Sequence, residues 1–129
     1  IQLWLCTIPA LMVLDVIWLG LVAKNYYKTQ LGDLLAPTVT WWAAGLLYVL
    51  YAAGMVFFVI QPALAAQSFT RALVTGFFFG LVAFCIYDLT NLATTAHWPL
   101  AMSFVDMAYG AVVGALASGA VYLVAIKWL

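Results

Sequence analysis

Apolar residues run almost without interruption through four stretches of this chain, at about 2–23, 40–60, 69–95 and 99–126, and short polar clusters separate them. A helix crossing a bilayer needs ~20 mainly apolar residues, so each stretch predicts one crossing. The fold class expected is all-α: a polytopic integral membrane four-helix bundle, with residues 1–129 forming a single transmembrane domain. The first crossing closes at Lys24-Asn25-Tyr26-Tyr27-Lys28, where charges and amphipathic rings suit a membrane surface. From Lys24 to Leu35 the spacing changes. Tyr27, Leu31, Leu34 and Leu35 recur at i, i+4, i+7 and i+8, which predicts a short interfacial helix between helices one and two, ended by Ala36-Pro37.

Helix two opens with Trp41-Trp42 and is expected to close before Gln61-Pro62. Its stripe of Trp41, Gly45, Tyr48 and Ala52 alternates small residues with rings and is read as packing. Helix three carries Arg71 at its start and Gly76-x-x-x-Gly80 in its first half, and helix four carries Gly110, Gly114 and Ser118. Both ladders of small residues are read as close-packing faces.

Composition agrees with this pattern. Of 129 residues 69% are hydrophobic and 6% charged, where soluble domains carry roughly 25% charged residues. Four crossings with short connections leave no room for a soluble domain. The first segment is longer than a signal-peptide core and holds Asp15, so a retained helix is expected. Four Lys/Arg balance four acids, all of them Asp, and no basic run is present, which argues against nucleic acid and polybasic lipid recognition. The positive charges tie between the two sides, so they do not orient the chain. Trp4 and Trp128 are expected to mark one surface, and Trp41, Trp42 and Trp98 the other. Cys6 and Cys85 are isolated in apolar segments, with no metal-ligand spacing, so neither a disulfide, a metal nor a cofactor is expected. His97, the single histidine, is read as an interface residue.

The candidate chemistry lies in the acids. Counted from the end of its own crossing, Asp15 is eight residues from Ala23, Asp88 seven from Thr95 and Asp106 seven from Pro99. At 1.5 Å per residue all three share a layer roughly 10–12 Å below one surface. An acid facing lipid costs at least ~2.5 kcal/mol, so the three are expected to face inward around a polar pocket, with at least one holding a proton near neutral pH. They are a candidate acid/base cluster. Helical spacing adds candidate binding residues: Trp18 at i+3 from Asp15, Asn91 at i+3 from Asp88, Tyr109 at i+3 from Asp106, and Thr95 and Trp98 above them. The Tyr26-to-Leu35 segment is a candidate lid. Asp, Asn and Thr also join membrane helices as hydrogen-bond glue, contributing about 0.6–2 kcal/mol each, and this structural reading stands beside the functional one.

Asp15-Val-Ile-Trp18-Leu-Gly20, the Tyr27-x-x-x-Leu31-Gly32 step, Pro62-Ala-Leu64, and above all Tyr87-Asp88-Leu-Thr-Asn-Leu-Ala-Thr94 followed by Trp98-Pro99 and Asp106 resemble a small bacterial membrane family, domain of unknown function 2177. The resemblance spans essentially the whole chain. It implies a multi-pass four-helix protein of the bacterial inner (cytoplasmic) membrane and implies no activity.

The leading functional expectation is an intramembrane Asp/Asn site, open to one surface, that binds or processes a small or lipid-like molecule among membrane lipids. The second is a proton-coupled small transporter, as a homo-oligomer. The third is a non-catalytic accessory subunit of a larger membrane complex, docking through the Gly76-Gly80 and Gly110-Gly114-Ser118 faces.

Overall fold

The structure, a computed structural model, describes residues 1–18 and 41–128. Among these residues every regular element is helical: α1 (Gln2–Ile17), α2 (Trp41–Ala65), α3 (Phe69–Thr94) and α4 (Leu100–Trp128). The last three are long and apolar enough to cross a membrane, and α1 is a shorter apolar helix. The expected end of helix one at Ala23, the interfacial helix and the lid lie outside the described residues.

Helix two runs further than its sequence predicts. It stays helical through Pro62 and ends at Ala65, where a stop before Gln61 is expected from the proline. Proline lacks an N–H, and its ring collides with the carbonyl four residues back in a regular α-helix. Here Val56–Ile60 forms a π-helical stretch and the Gln61 N–H reaches the carbonyl of Val56, five residues back. Widening the turn ahead of Pro62 lets the chain continue.

The hairpin to α3 is tight. Gln67 takes a left-handed conformation (φ 53°), the Ser68 N–H bonds to the Ala63 carbonyl and the Gln67 N–H to that of Leu64. These two bonds satisfy carbonyls at the end of α2 in a Schellman arrangement. Ser68 then caps α3, its hydroxyl accepting from the Arg71 N–H at 3.0 Å.

α4 is the central helix: 56% of its apolar window is buried, against 28% for α2 and 22% for α3. Its longest contact is with α3, along the two glycine ladders. A Cβ on Gly76 would fall 2.5 Å from the Gly114 carbonyl oxygen and one on Gly114 2.1 Å from that of Gly76, so the backbones themselves are in contact. The small-residue faces are therefore occupied within the chain, which removes them as docking surfaces for another subunit.

α1 packs on α4 and on the Trp41–Met55 part of α2. Leu11, Met55, Val59, Val113, Ala117 and Val121 meet in the core between these helices. Trp4, expected as a belt residue, donates its indole N–H to the Val49 carbonyl at 3.1 Å and ties α1 to α2. Trp41–Met55 leans on α1, and close backbone contact between the second and third crossings begins at Val56–Ile60. The helices are thus joined at the Gly54 end of α2, where the Phe79 ring lies against Gly54, and part toward Trp41.

Candidate functional site

Asp15 and Asp106 border the space left by that parting. Asp15 lies near the end of α1, and each of its carboxylate oxygens accepts a tyrosine hydroxyl: Tyr48 of α2 donates to Oδ2 and Tyr109 of α4 to Oδ1. One carboxyl therefore joins three helices. A phenol donating to a carboxylate is a charge-assisted hydrogen bond, stronger than one between neutral groups. Trp18, three residues on and so on the same face of the helix, stacks on the Tyr109 ring with centroids 4.5 Å apart and planes 16° apart.

Asp88 and Asp106 form the second group. Asp88 is fully buried in the α3–α4 seam, and Asp106 is 9% exposed. Both lie six residues from an end of their helix, Asp88 before Thr94 and Asp106 after Leu100, so they share one level although the helices run in opposite directions. Their side chains interact directly. Neither oxygen of Asp88 meets a donor group among the described residues.

A cavity of about 430 Å³ connects the two groups. Asp15 and Trp18 of α1, Leu47 and Tyr51 of α2, Ala83, Phe84 and Tyr87 of α3, and Asp106 and Tyr109 of α4 line it, so every described helix contributes. A smaller cavity of about 230 Å³ shares Asp15, Leu47, Tyr51 and Phe84 with it and is lined besides by Leu11, Ala44, Tyr48 and Val113. Leu11 and Val113 are buried. Asp15 with its bond to Tyr48 stands between the two spaces.

The remaining candidate residues have other positions. Asn91 donates its side-chain amide to the Tyr87 carbonyl at 2.9 Å, and the Thr95 hydroxyl lies 3.5 Å from Asn91 Oδ1, so these groups are engaged along α3 and are not among the cavity-lining residues described. Trp98 meets Tyr87 edge to face at 5.8 Å, just outside the cavity wall. Ser103 turns its buried hydroxyl to the Pro99 carbonyl at 2.8 Å. Cys85 borders an apolar surface depression with Ile86 and Leu89, away from the acids. His97 is exposed in the α3–α4 turn, with φ 65°.

Three tyrosines of the site are not singled out by their spacing in the sequence. Tyr48 falls in a stripe that reads as packing, and no spacing links Tyr51 or Tyr87 to the acids. Their common signal was a hydroxyl on a membrane helix at the depth of the acids, since a buried tyrosine tip seeks a polar partner.

No match to this chain is found among curated proteins or among solved structures. A family model described as a predicted membrane protein matches residues 1–123, which covers α1, α2, α3 and most of α4, with Asp15, Asp88 and Asp106 among them. Together with its three long apolar helices, this match means that the chain belongs to the DUF2177 family of predicted membrane proteins.

Proposed function

We propose that this protein is a four-helix bundle of the bacterial inner membrane that binds one small or lipid-like molecule in the cavity between Asp15 and Asp106, where a carboxyl serves as proton donor or acceptor. The observation that carries this reading is the cavity itself. Its volume of about 430 Å³ lies in the range of small-molecule sites, and its wall combines apolar and aromatic surface with a few polar groups. Polar residues inside a membrane are costly, and their gathering at one level around an open space is the pattern of a functional site.

An apolar wall beyond the acids supports binding over transport. Beyond Asp15 the smaller cavity is walled largely by apolar residues, Leu11, Ala44, Leu47 and Val113 among them, with Met55, Val59 and Ala117 in the same core. A path for ions or polar solutes needs a polar lining through the full thickness.

The test is mass spectrometry of the protein purified in dodecyl maltoside, released from micelles intact and then extracted for small molecules. The expected result is one co-purifying amphiphile per chain in the wild type, and its loss in Asp106→Asn with the helical signal unchanged. Absence of any co-purifying or added amphiphile, in a protein that remains folded, would retire the binding reading and leave the acids as helix-joining groups.

A further inference from the structure

Two hollows lie along the α2–α3 hairpin, and together they indicate where the apolar part of a ligand would rest. This inference rests on the binding reading above. On α2, Leu47, Tyr51, Gly54 and Phe58 follow one another at i, i+4, i+7 and i+11, and on α3 Thr75, Phe79, Ala83 and Tyr87 recur every fourth residue. Each series forms a stripe along its helix. Leu47, Tyr51, Ala83 and Tyr87 belong to the cavity that holds Asp15 and Asp106. Phe58, Thr75 and Phe79 belong to the second hollow, an open groove of about 650 Å³ that Val74, Phe78 and Val82 also line. Between the two, the Phe79 ring lies against Gly54 and meets the Tyr51 ring with centroids 5.3 Å apart. The cavity and the groove are successive parts of one cleft.

The groove suits hydrocarbon. Thr75, the one polar side chain among its described lining residues, donates its hydroxyl to the Arg71 carbonyl at 2.6 Å, so its proton is engaged within α3. A polar head therefore gains little there. Phe58, Val74 and Phe78 in the groove, like Leu47 and Tyr87 at the cavity, are more than half exposed. On helices long and apolar enough to cross a membrane, such residues face lipid, so the cleft is open sideways to acyl tails along its length. The polar groups stand at one end of it only.

Length then defines the ligand. From Tyr87 to Val74 the cleft follows thirteen residues of α3, about 20 Å at 1.5 Å per residue. That exceeds half of the ~30 Å hydrocarbon thickness of a bilayer. We propose that the ligand is a long-tailed, single-chain lipid, its head in the cavity at the level of Asp15 and Asp106 and its tail passing Phe79 into the groove of Phe58, Val74 and Phe78. Lipid is as apolar as the groove, so the tail gains no hydrophobic energy by entering it, and selection rests on length and close packing.

The experiment uses the full chain in dioleoylphosphatidylcholine vesicles with hexadecyl and decyl probes, each made with hydroxyl, ammonium and carboxylate heads and a diazirine at the terminal carbon. Irradiation is followed by residue-level mapping of the adducts, with and without excess unlabelled hexadecyl compound of the same head. For at least one head, the hexadecyl probe is expected to label Phe58, Val74 or Phe78 and the decyl probe Tyr51 or Phe79, and the competitor to lower both at least fivefold. Background labelling of Leu116 and Leu123, exposed on α4, should stay unchanged. Val74→Trp fills the far end of the groove from a lipid-facing position and should lower hexadecyl labelling of Phe58 and Phe78 at least threefold, while the decyl probe still reaches Tyr51 or Phe79. Groove labelling that the competitor leaves unchanged marks ordinary bilayer lipid and overturns the proposal. Competed hexadecyl labelling confined to cavity residues such as Leu47 and Tyr87 also overturns it and leaves ligand binding intact. If no head gives competed labelling in either hollow, the binding reading itself fails. Should Val74→Trp not fold, the two tail lengths on the unaltered chain decide alone.

Discussion

Gly80 of α3 lies so close to Gly110 of α4 that a Cβ on Gly80 would fall 2.0 Å from the Gly110 carbonyl oxygen. Lipid is as apolar as a leucine side chain, so burial of apolar surface does little to join two membrane helices, and close backbone packing does it in its place. This seam also sets the distance at which Asp88 meets Asp106, because both acids sit further along the same two helices.

Gly80→Ala is therefore expected to push the seam apart against rigid backbone, costing at the upper end of the about 1–3 kcal/mol typical of overpacking. Gly45→Ala, with no atom within 4 Å of the new methyl, is expected to leave stability unchanged. Equilibrium unfolding in mixed micelles, followed by circular dichroism, checks the pair. Equal stability of the two variants would show that the helices separate freely at Gly80.

The Asp15 junction predicts coupling. Tyr48→Phe and Tyr109→Phe each remove one hydroxyl donor from the same carboxyl. Each single change is expected to cost about 0.6–2 kcal/mol, as for other hydrogen bonds between membrane helices. The double variant should cost more than the sum, since the carboxylate then keeps neither donor. The same unfolding measurement serves, and strict additivity would mean that Asp15 finds substitute partners.

At the Asp88–Asp106 pair the expectation has the opposite sign. Asp88→Asn keeps the shape and places an amide donor against Asp106, where Asp88 itself meets no donor group among the described residues. A gain of about 1 kcal/mol is the ordinary worth of a newly satisfied hydrogen bond. A loss above about 2 kcal/mol would mark the carboxyl pair as helix glue, since breaking a satisfied buried contact costs that much.

Topology has its own check. The turns that hold Gln67 and His97 lie at opposite ends of α3, a helix long enough to span the bilayer. Gln67→Cys and His97→Cys are expected to react with a membrane-impermeant maleimide from opposite faces of oriented vesicles, in a background where Cys6 and Cys85 are serine. Labelling of both from one face would mean that α3 does not cross.

The physical class of this protein was legible in its residues alone. Long apolar runs force a chain to satisfy its backbone internally, so four apolar helices and the glycine ladders follow from counting, although among the described residues three of the four expected crossings reach spanning length. The end of α2 did not follow, because proline predicts a stop and only the π-helical stretch before Pro62 shows how the stop is avoided. Nor did the role of Tyr48. Helical spacing fixes which side chains share a face of one helix, but it is silent on how helices lean toward or away from each other. That lean, close at Gly54 and Phe79 and open at Leu47 and Tyr87, turned a packing stripe into a partner of Asp15 and made the cavity. Asn91 instead bonds along its own helix, where the i−4 carbonyl is within reach of a short polar side chain, and Thr95 meets the Asn91 side chain. Periodicity decided which groups lie at one depth, and the crossing of the helices, set by contacts between residues far apart in the chain, decided which of them meet.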